Sequence, residues 1–168
     1  MNPLELFAPI RTFVFDIDGV LTDGSLLVTE EGQMLRNMSI KDGYAMQLAI
    51  KKGYRVWIIS GEASEAIKNS LNRLDLIDVH TSIESKKDTL HELVATSGIP
   101  YASVLYMGDD IPDLSAMQIC GLPCCPNDAV PEIKQIVKYI SPYNGGKGCV
   151  RDVIEKVLKL NRDWQLPV

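Results

Sequence analysis

The strongest constraint in the chain is one stretch of twelve residues, Phe13-Val14-Phe15-Asp16-Ile17-Asp18-Gly19-Val20-Leu21-Thr22-Asp23-Gly24. Its β-branched and aromatic residues read as a buried strand over about 11–17. The run ends in two carboxylates two positions apart, followed by a glycine-bearing turn. If the strand continues through them, period-2 geometry sets Asp16 and Asp18 on one side. Burying two like charges at a strand end is costly unless a cation or a proton sits between them. What neutralises that pair is the question the remaining sequence answers.

At 168 residues the chain is expected to form a single domain over 1–168, long enough to bury a real core. Hydrophobic residues at 46% and charged residues at 23% are ordinary for a globular protein. A net charge of −5, with no basic block and no basic stripe interleaved with aromatics, argues against a nucleic-acid partner. A local basic pocket for an anionic small molecule stays open. Met1-Asn2-Pro3-Leu4-Glu5-Leu6-Phe7 lacks the positive and apolar regions of a signal peptide, and no apolar run approaches bilayer length. The expectation is a cytoplasmic protein with no membrane partner. Cys120, Cys124, Cys125 and Cys149 lack a matching Cys/His pair at zinc spacing, and read as buried small hydrophobes in a reducing compartment.

Residues 1–10 read as a lead-in, with Pro9 just ahead of the first strand. Beyond Gly24, the apolar runs Ser25-Leu26-Leu27-Val28 and Met34-Leu35-Arg36-Asn37-Met38 flank a polar, glycine-containing turn. They predict a β-hairpin over about 25–38, too small to be a cap domain. Apolar residues on both faces of a projecting hairpin need a partner surface, which points to oligomerisation. Asp42 is placed as N-cap of a helix over about 43–52, which Gly53 ends. Strand Tyr54–Ile59 stops at Ser60-Gly61, a helix follows through about 63–74, and Ile77–His80 is a weak strand. Ser85-Lys86-Lys87-Asp88 has the Ser-x-x-acid pattern of a helix start running to Gly98. Val104–Met107 is a strand ending in Gly108-Asp109-Asp110, with a helix through Leu114 and Met117 after it. Gly121-Leu122-Pro123 reads as a short edge strand, where proline is tolerated. A helix around Val130, Ile133 and Val137, a strand at Tyr139-Ile140 and a final helix from Val150 to Leu158 complete the alternation. The fold class is therefore α/β, a doubly wound, mostly parallel, Rossmann-like sheet with helices on both faces.

In such sheets ligands bind at the carboxyl ends of the strands. Three of those ends carry polar signatures: Asp16-x-Asp18, Ser60-Gly61 and Gly108-Asp109-Asp110. Together with Asp113 they crowd hard oxygen ligands into one crevice, which suits Mg²⁺ with a substrate phosphate. An ionised Asp16 is then free to act as a nucleophile, with Asp18 as general acid and base. Ser60, the Gly61 amide and Lys86 suit phosphoryl oxygens. Each feature has a plainer reading when taken singly. An Asp-x-Asp pair is often a turn, Ser-Gly is common turn chemistry, Lys86 is a solvated helix start, and Asp109-Asp110-x-x-Asp113 an N-terminal cap. Their joint order, each at a strand end or the helix start after it, favours a site.

The chain resembles the haloacid dehalogenase (HAD) superfamily phosphatases. The resemblance rests on Asp16-Ile17-Asp18-Gly19-Val20-Leu21-Thr22, Ser60, Lys86 and Gly108-Asp109-Asp110-Ile111-Pro112-Asp113. It implies that Asp16 is phosphorylated and that Asp18 is the acid/base. Mg²⁺ would be held by Asp16, the Asp18 backbone carbonyl and Asp109, with Asp110 and Asp113 supporting the loop or the metal shell.

The absence of a cap resembles the family's capless members, most of all phosphatases of 3-deoxy-D-manno-octulosonate 8-phosphate (KDO 8-phosphate). Ile40-Lys41-Asp42-Gly43 and Gly145-Gly146-Lys147-Gly148-Cys149-Val150-Arg151-Asp152 carry that likeness. It implies a homotetramer whose hairpins pack together and a glycine-rich tail that folds over bound sugar acid. Lys41, Asp42, Glu62, Arg73, Gly146 and Lys147 are then candidate substrate contacts. A plain loop and a solvated helix face are the alternatives for the tail and Lys41. Glu62 departs from the basic residue usual in octulosonate enzymes. An acid there resembles phosphatases of nine-carbon acids (2-keto-3-deoxynononate or N-acylneuraminate 9-phosphates), with Arg73 a possible partner. A non-enzymatic binding or regulatory subunit is the competing class, against which the intact Asp16, Asp18, Lys86 and Asp109 set argues. A phosphomutase needs a cap to shield its intermediate from water.

Overall fold

Strand β1 (Thr12–Phe15) is buried at every position, as a central strand covered on both faces must be. The structure, a computed structural model, describes residues 2–76 and 78–166. β1 lies between β4 (Arg55–Ile59) and β6 (Val104–Met107), both parallel to it. With β5 (Val79–His80), β7 (Leu122–Cys125) and β8 (Tyr139–Ile140) they form a six-stranded sheet in the order β5-β4-β1-β6-β7-β8. All its pairings are parallel. Counted along the chain, that is the doubly wound order in which the winding reverses between β1 and β6, where a crevice opens. A separate antiparallel hairpin, β2 (Leu27–Val28) and β3 (Met34–Leu35), projects from the connection after β1.

Side-chain alternation sends the two faces of β1 into two cores. Phe13 and Phe15 join the core under α2 (Ile40–Lys51), α3 (Glu65–Asn72) and α7 (Cys149–Leu160). Val14 faces the other core, with Tyr106, α4 (Lys86–Ser97), α5 (Leu114–Met117) and α6 (Pro131–Lys134). The lead-in forms a short helix, α1 (Pro3–Phe7), whose Phe7 packs edge-on to Tyr139 with ring centroids 5.1 Å apart. All four cysteines are free and buried. Among the described residues no helix is long and apolar enough to cross a membrane.

Several elements differ from the sequence reading. β1 stops at Phe15, two residues early, because the chain turns at Ile17–Leu21 with Gly19 at φ +85°. Helix α2 starts a turn before the expected point. Ser39 caps it, accepting from the Asp42 amide at 3.3 Å. That leaves the Asp42 carboxylate free to serve another helix, and it accepts from the Arg151 amide in the first turn of α7 at 2.9 Å. β7 is an interior strand between β6 and β8, not an edge. Pro123 is tolerated there because it faces β8 only where that strand has not yet begun: its carbonyl accepts from Lys138, just before Tyr139. Of the weak strand read at 77–80, Val79 and His80 pair with β4, and Ile77 lies outside the described residues.

The glycine-rich tail is docked, not loose. The Gly146 amide donates to the Val20 carbonyl at 2.9 Å and the Gly145 amide to Asp128 Oδ1 at 2.9 Å. A Cβ on Gly145 would lie 2.0 Å from the Gly19 carbonyl oxygen, so only glycine lets the tail seat against the turn after β1. Gly145→Ala is therefore expected to lower stability by about 1–3 kcal/mol, as overpacking against backbone does. Urea unfolding monitored by circular dichroism reads the change, and an unchanged midpoint would show that the tail does not bear on the turn.

Candidate active site

Strand parity places the first functional group. Asp16 follows β1 with the parity of Val14, so its carboxylate points to the α4 and α5 side of the sheet. There it meets Lys86, the first residue of α4, with Nζ 3.0 Å from Asp16 Oδ1. Lys86 is also 2.7 Å from Asp113 Oδ1. A cation at a helix N-terminus opposes the helix dipole, so these carboxylates, and not the helix, hold it. Ser85 caps α4 by accepting from the Asp88 amide at 3.2 Å, which fixes the turn that presents Lys86.

Asp113 arrives from the loop after β6 and is fully buried. Its Oδ1 also accepts from Tyr106 Oη at 2.9 Å, and its Oδ2 accepts from the Asp109 amide at 3.3 Å. Burial and Asp113 hold the Tyr106 hydroxyl well above its ordinary pKa, so it stays a donor. Asp109 sits against the turn after β1. A Cβ on Gly19 would lie 1.8 Å from Asp109 Oδ2, and φ +85° already requires glycine there. Ser60 is buried at the end of β4, its Oγ accepting from the Glu62 amide at 3.2 Å. Asp110 is exposed and caps the short turn Ile111–Asp113 through the Ile111 amide at 2.7 Å.

Asp16, Asp18, Ser60, Gly61, Glu62, Lys86, Asp109, Asp110 and Asp113 thus line one cleft of about 300 Å³. The sequence-derived sugar contacts other than Glu62 lie elsewhere on the chain. Lys41 and Lys147 border a separate cleft of about 510 Å³ beside α7. Asp42 and Arg73 line a hollow of about 390 Å³ between α2 and α3. Glu62 and Arg73 therefore open onto different cavities. Gly146 packs on the backbone of Thr22 and Asp23. Asp16 and Asp18 share the cleft but not their partners, because the chain turns between them: Asp16 pairs with Lys86, while Asp18 bonds Arg36 Nε at 2.7 Å.

Two participants were missed in the sequence. Tyr106 has a readable signal, since it lies two residues before Gly108 on an apolar strand and shares the face of Val14. Arg36 has none, because its role depends on how the hairpin folds back.

The cleft holds more negative charge than Lys86 can balance. Burial, then the Asp113 carboxylate, raise Asp16 to about 8 against the opposing pull of Lys86. Burial, Asp113 and Asp110 raise Asp109 to about 7. Burial alone would lower Lys86, but Asp113 and Asp16 outweigh it and hold its pKa above the usual value. Carboxylate oxygens of Asp16, Asp109 and Asp113 lie within 4.8 Å of one another, a hard oxygen set that a divalent cation such as Mg²⁺ fits. Asp16, itself one of that set, and Asp18 present two carboxyl groups to the same cleft.

A family model described as haloacid dehalogenase-like hydrolase matches residues 72–154. The chain is 31% identical over 155 residues to the 3-deoxy-D-manno-octulosonate 8-phosphate phosphatase KdsC of Yersinia pestis, a match covering 92% of this chain and 83% of that one. A crystal structure of the Yersinia pestis phosphatase superposes with a TM-score of 0.92 at 29% identity, covering 95% of this chain and 86% of that one. The Moraxella catarrhalis phosphatase, in complex with a magnesium ion, a phosphate ion and KDO, superposes with a TM-score of 0.89 at 28% identity, covering 94% of this chain and 91% of that one.

The raised pKa values make the site's stability depend on pH. Asp16 and Asp109 titrate at about 8 and about 7 in the folded chain, against 3.8 unperturbed. Their contribution is therefore complete below the unperturbed value and is lost as pH rises through the folded values. Without divalent cation, the melting temperature should fall from pH 6 to pH 9. Added Mg²⁺ should raise it more at pH 9 than at pH 6, because the cation then displaces fewer protons. Differential scanning fluorimetry with and without chelator reads both trends, and a larger gain at pH 6 would contradict the site.

Proposed function

The chain belongs to the haloacid dehalogenase-like hydrolases, and from that premise we propose that it is a Mg²⁺-dependent phosphatase whose substrate is KDO 8-phosphate, released as KDO and phosphate. Its class is phosphoric monoester hydrolase. One observation carries the reading: the Moraxella catarrhalis phosphatase in complex with magnesium, phosphate and KDO superposes on 94% of this chain. The cleft containing Asp16, Lys86 and Asp109 lies at the topological switch point, where ligands of such sheets bind.

In this mechanism Asp16 attacks phosphorus and forms an aspartyl phosphate as the bond to the sugar oxygen breaks. Asp18 gives its proton to the departing alkoxide and then takes one from the water that attacks the aspartyl phosphate, returning phosphate and free Asp16. Lys86, Ser60 and the Gly61 amide hold the phosphoryl oxygens, and Asp113 with Tyr106 keeps Lys86 in place. Mg²⁺ would be held by Asp16, the Asp18 carbonyl and Asp109, with Asp110 and Asp113 supporting the loop or the metal shell, and would supply positive charge that neutralises the developing negative charge.

The hairpin supports a homotetramer in which a neighbouring chain closes each site. Leu26, Leu27, Val28, Met34 and Leu35 are all exposed on it, an apolar patch that calls for cover. Lys41, Arg73 and Lys147 then meet the sugar acid across that assembly, while buried Asp42 and docked Gly146 hold the elements behind it. Glu62 favours a second substrate reading, because an acid inside the cleft is where the nine-carbon enzymes' residue is expected.

Asp16→Asn should lower turnover at least about a thousandfold while circular dichroism stays native, and appreciable residual turnover would remove Asp16 from the nucleophile role. Chelation should stop the wild-type enzyme and Mg²⁺ restore it. Side-by-side kcat/KM on the eight- and nine-carbon phosphates decides the sugar. Glu62→Arg should move that ratio roughly tenfold toward the octulosonate, and an unmoved ratio would take Glu62 out of specificity.

A further inference from the structure

We propose that Arg36, contributed by the hairpin, is a positioning residue for Asp18. The inference rests on the acid/base reading of Asp18 given above. The hairpin around it is exposed: both residues of β2 and both of β3 face solvent. Arg36 follows β3 directly and behaves differently, with a side chain only 7% exposed. Its Nε donates to Asp18 Oδ1 at 2.7 Å, and its Nη2 reaches Oδ2 at 3.5 Å. Enclosing a guanidinium is unfavourable unless it is paired, and Asp18 is the carboxylate it pairs with.

The arrangement fixes both partners. Two residues beyond Arg36, Met38 bridges to Thr22, so the base of the hairpin is tied to the turn that carries Asp18. Thr22 Oγ1 donates to Asp18 Oδ1 at 3.4 Å. Oδ1 therefore takes two of the donors and Oδ2 only the long contact at 3.5 Å, which leaves Oδ2 the less engaged oxygen of a residue that lines the cleft. A planar fork of this kind sets the plane of a carboxyl group as well as its position, which an ammonium cannot do. When Asp18 is protonated, donors on Oδ1 place the proton on Oδ2. That proton passes to the leaving alkoxide as the phosphorus–oxygen bond breaks and the Asp16–phosphorus bond forms. A general acid must lie within hydrogen-bond reach of the atom it protonates, so a carboxyl free to rotate loses much of its advantage.

A purely structural role, pinning the hairpin, predicts losses that do not depend on the leaving group. A positioning role predicts losses confined to leaving groups that need a proton. The discriminating quantity is kcat/KM, which stops at the first irreversible step, departure of the alcohol. It is measured with KDO 8-phosphate, whose leaving group is a primary alkoxide, and with p-nitrophenyl phosphate, whose leaving group departs unprotonated. Arg36→Met should lower kcat/KM for the sugar phosphate by about 10- to 100-fold, and for the aryl phosphate by less than about threefold. Arg36→Lys, which restores the charge and a donor without the fork, should recover part of that loss. Size-exclusion chromatography on each variant confirms an unchanged assembly.

Asp18→Asn is run in parallel. If it shows the same leaving-group selectivity and Arg36→Met loses both substrates equally, or neither, the positioning role is overturned while the acid/base reading stands. If Asp18→Asn itself shows no selectivity, the acid/base reading fails and this inference falls with it. Selective loss in both variants, with partial rescue by Arg36→Lys, supports the proposal.

Discussion

The buried Lys86, lodged between Asp16 and Asp113, is the interaction on which the rest of the site depends. Its three members come from the end of β1, the first turn of α4 and the loop after β6, so forming it aligns three elements at the switch point of the sheet. Each group alone would be an enclosed charge, and removing one partner from such a cluster costs several kcal/mol, about 3–5 in comparable cases. The lysine also stands where a helix dipole disfavours it. Such a cluster is maintained against local propensity, which is the mark of a site and not of a scaffold. It is also unbalanced: burial first, then the neighbouring carboxylates, raise Asp16 and Asp109, and a hard cation relieves both.

The turn after β1 is held from behind by a second series of contacts. Gly19 lets the Asp109 carboxylate close on the turn, the Gly145–Gly146 backbone docks on its far side, and the tail leads directly into α7. Asp42 then caps α7 from α2, although burial raises its carboxyl to about 6 and one oxygen finds no partner among the described residues. Within one chain, Asp42 and the glycine tail are therefore supports for the turn after β1. Their glycines are explained by close backbone approach as well as by any motion over a substrate.

Much of the fold and most of the chemistry could be read locally. Strand parity and the spacing of Asp16, Ser60, Lys86, Asp109 and Asp113 survive translation into three dimensions, because each sits at a strand end or helix start. What could not be read depends on the path of the chain between those points. How Asp18 stands relative to Asp16 is decided by the turn that begins at Ile17 and by Arg36 reaching in from a folded-back hairpin. Whether Asp42 caps its own helix or another depends on a competitor three residues earlier, Ser39. Pro123 suggested an edge, yet the missing donor is harmless wherever the neighbouring strand is short. Residues near one another in sequence, such as Glu62 and Arg73, open onto different cavities because α3 lies between them.

Charge also separates the chemistry from the choice of sugar. A sugar acid phosphate brings a carboxylate of its own, and among the described residues lining the cleft Lys86 is the single cation, already engaged by two carboxylates. Like charges repel strongly where water is scarce. The cleft can therefore accept the phosphoryl end with its cation, but it repels an acid end lying near Glu62 or Asp110. Recognition of that end calls for positive charge from outside the cleft. Lys41, Arg73 and Lys147, which form no ion pair among the described residues, open onto other surfaces. In the proposed tetramer a neighbour's cations would reach the acid end, and the exposed apolar hairpin is the surface that would bring that neighbour to the mouth of the cleft. A capless enzyme of this kind would then obtain from a second chain what a cap domain supplies in cis, with the reaction built into one chain and the specificity into the contact between two.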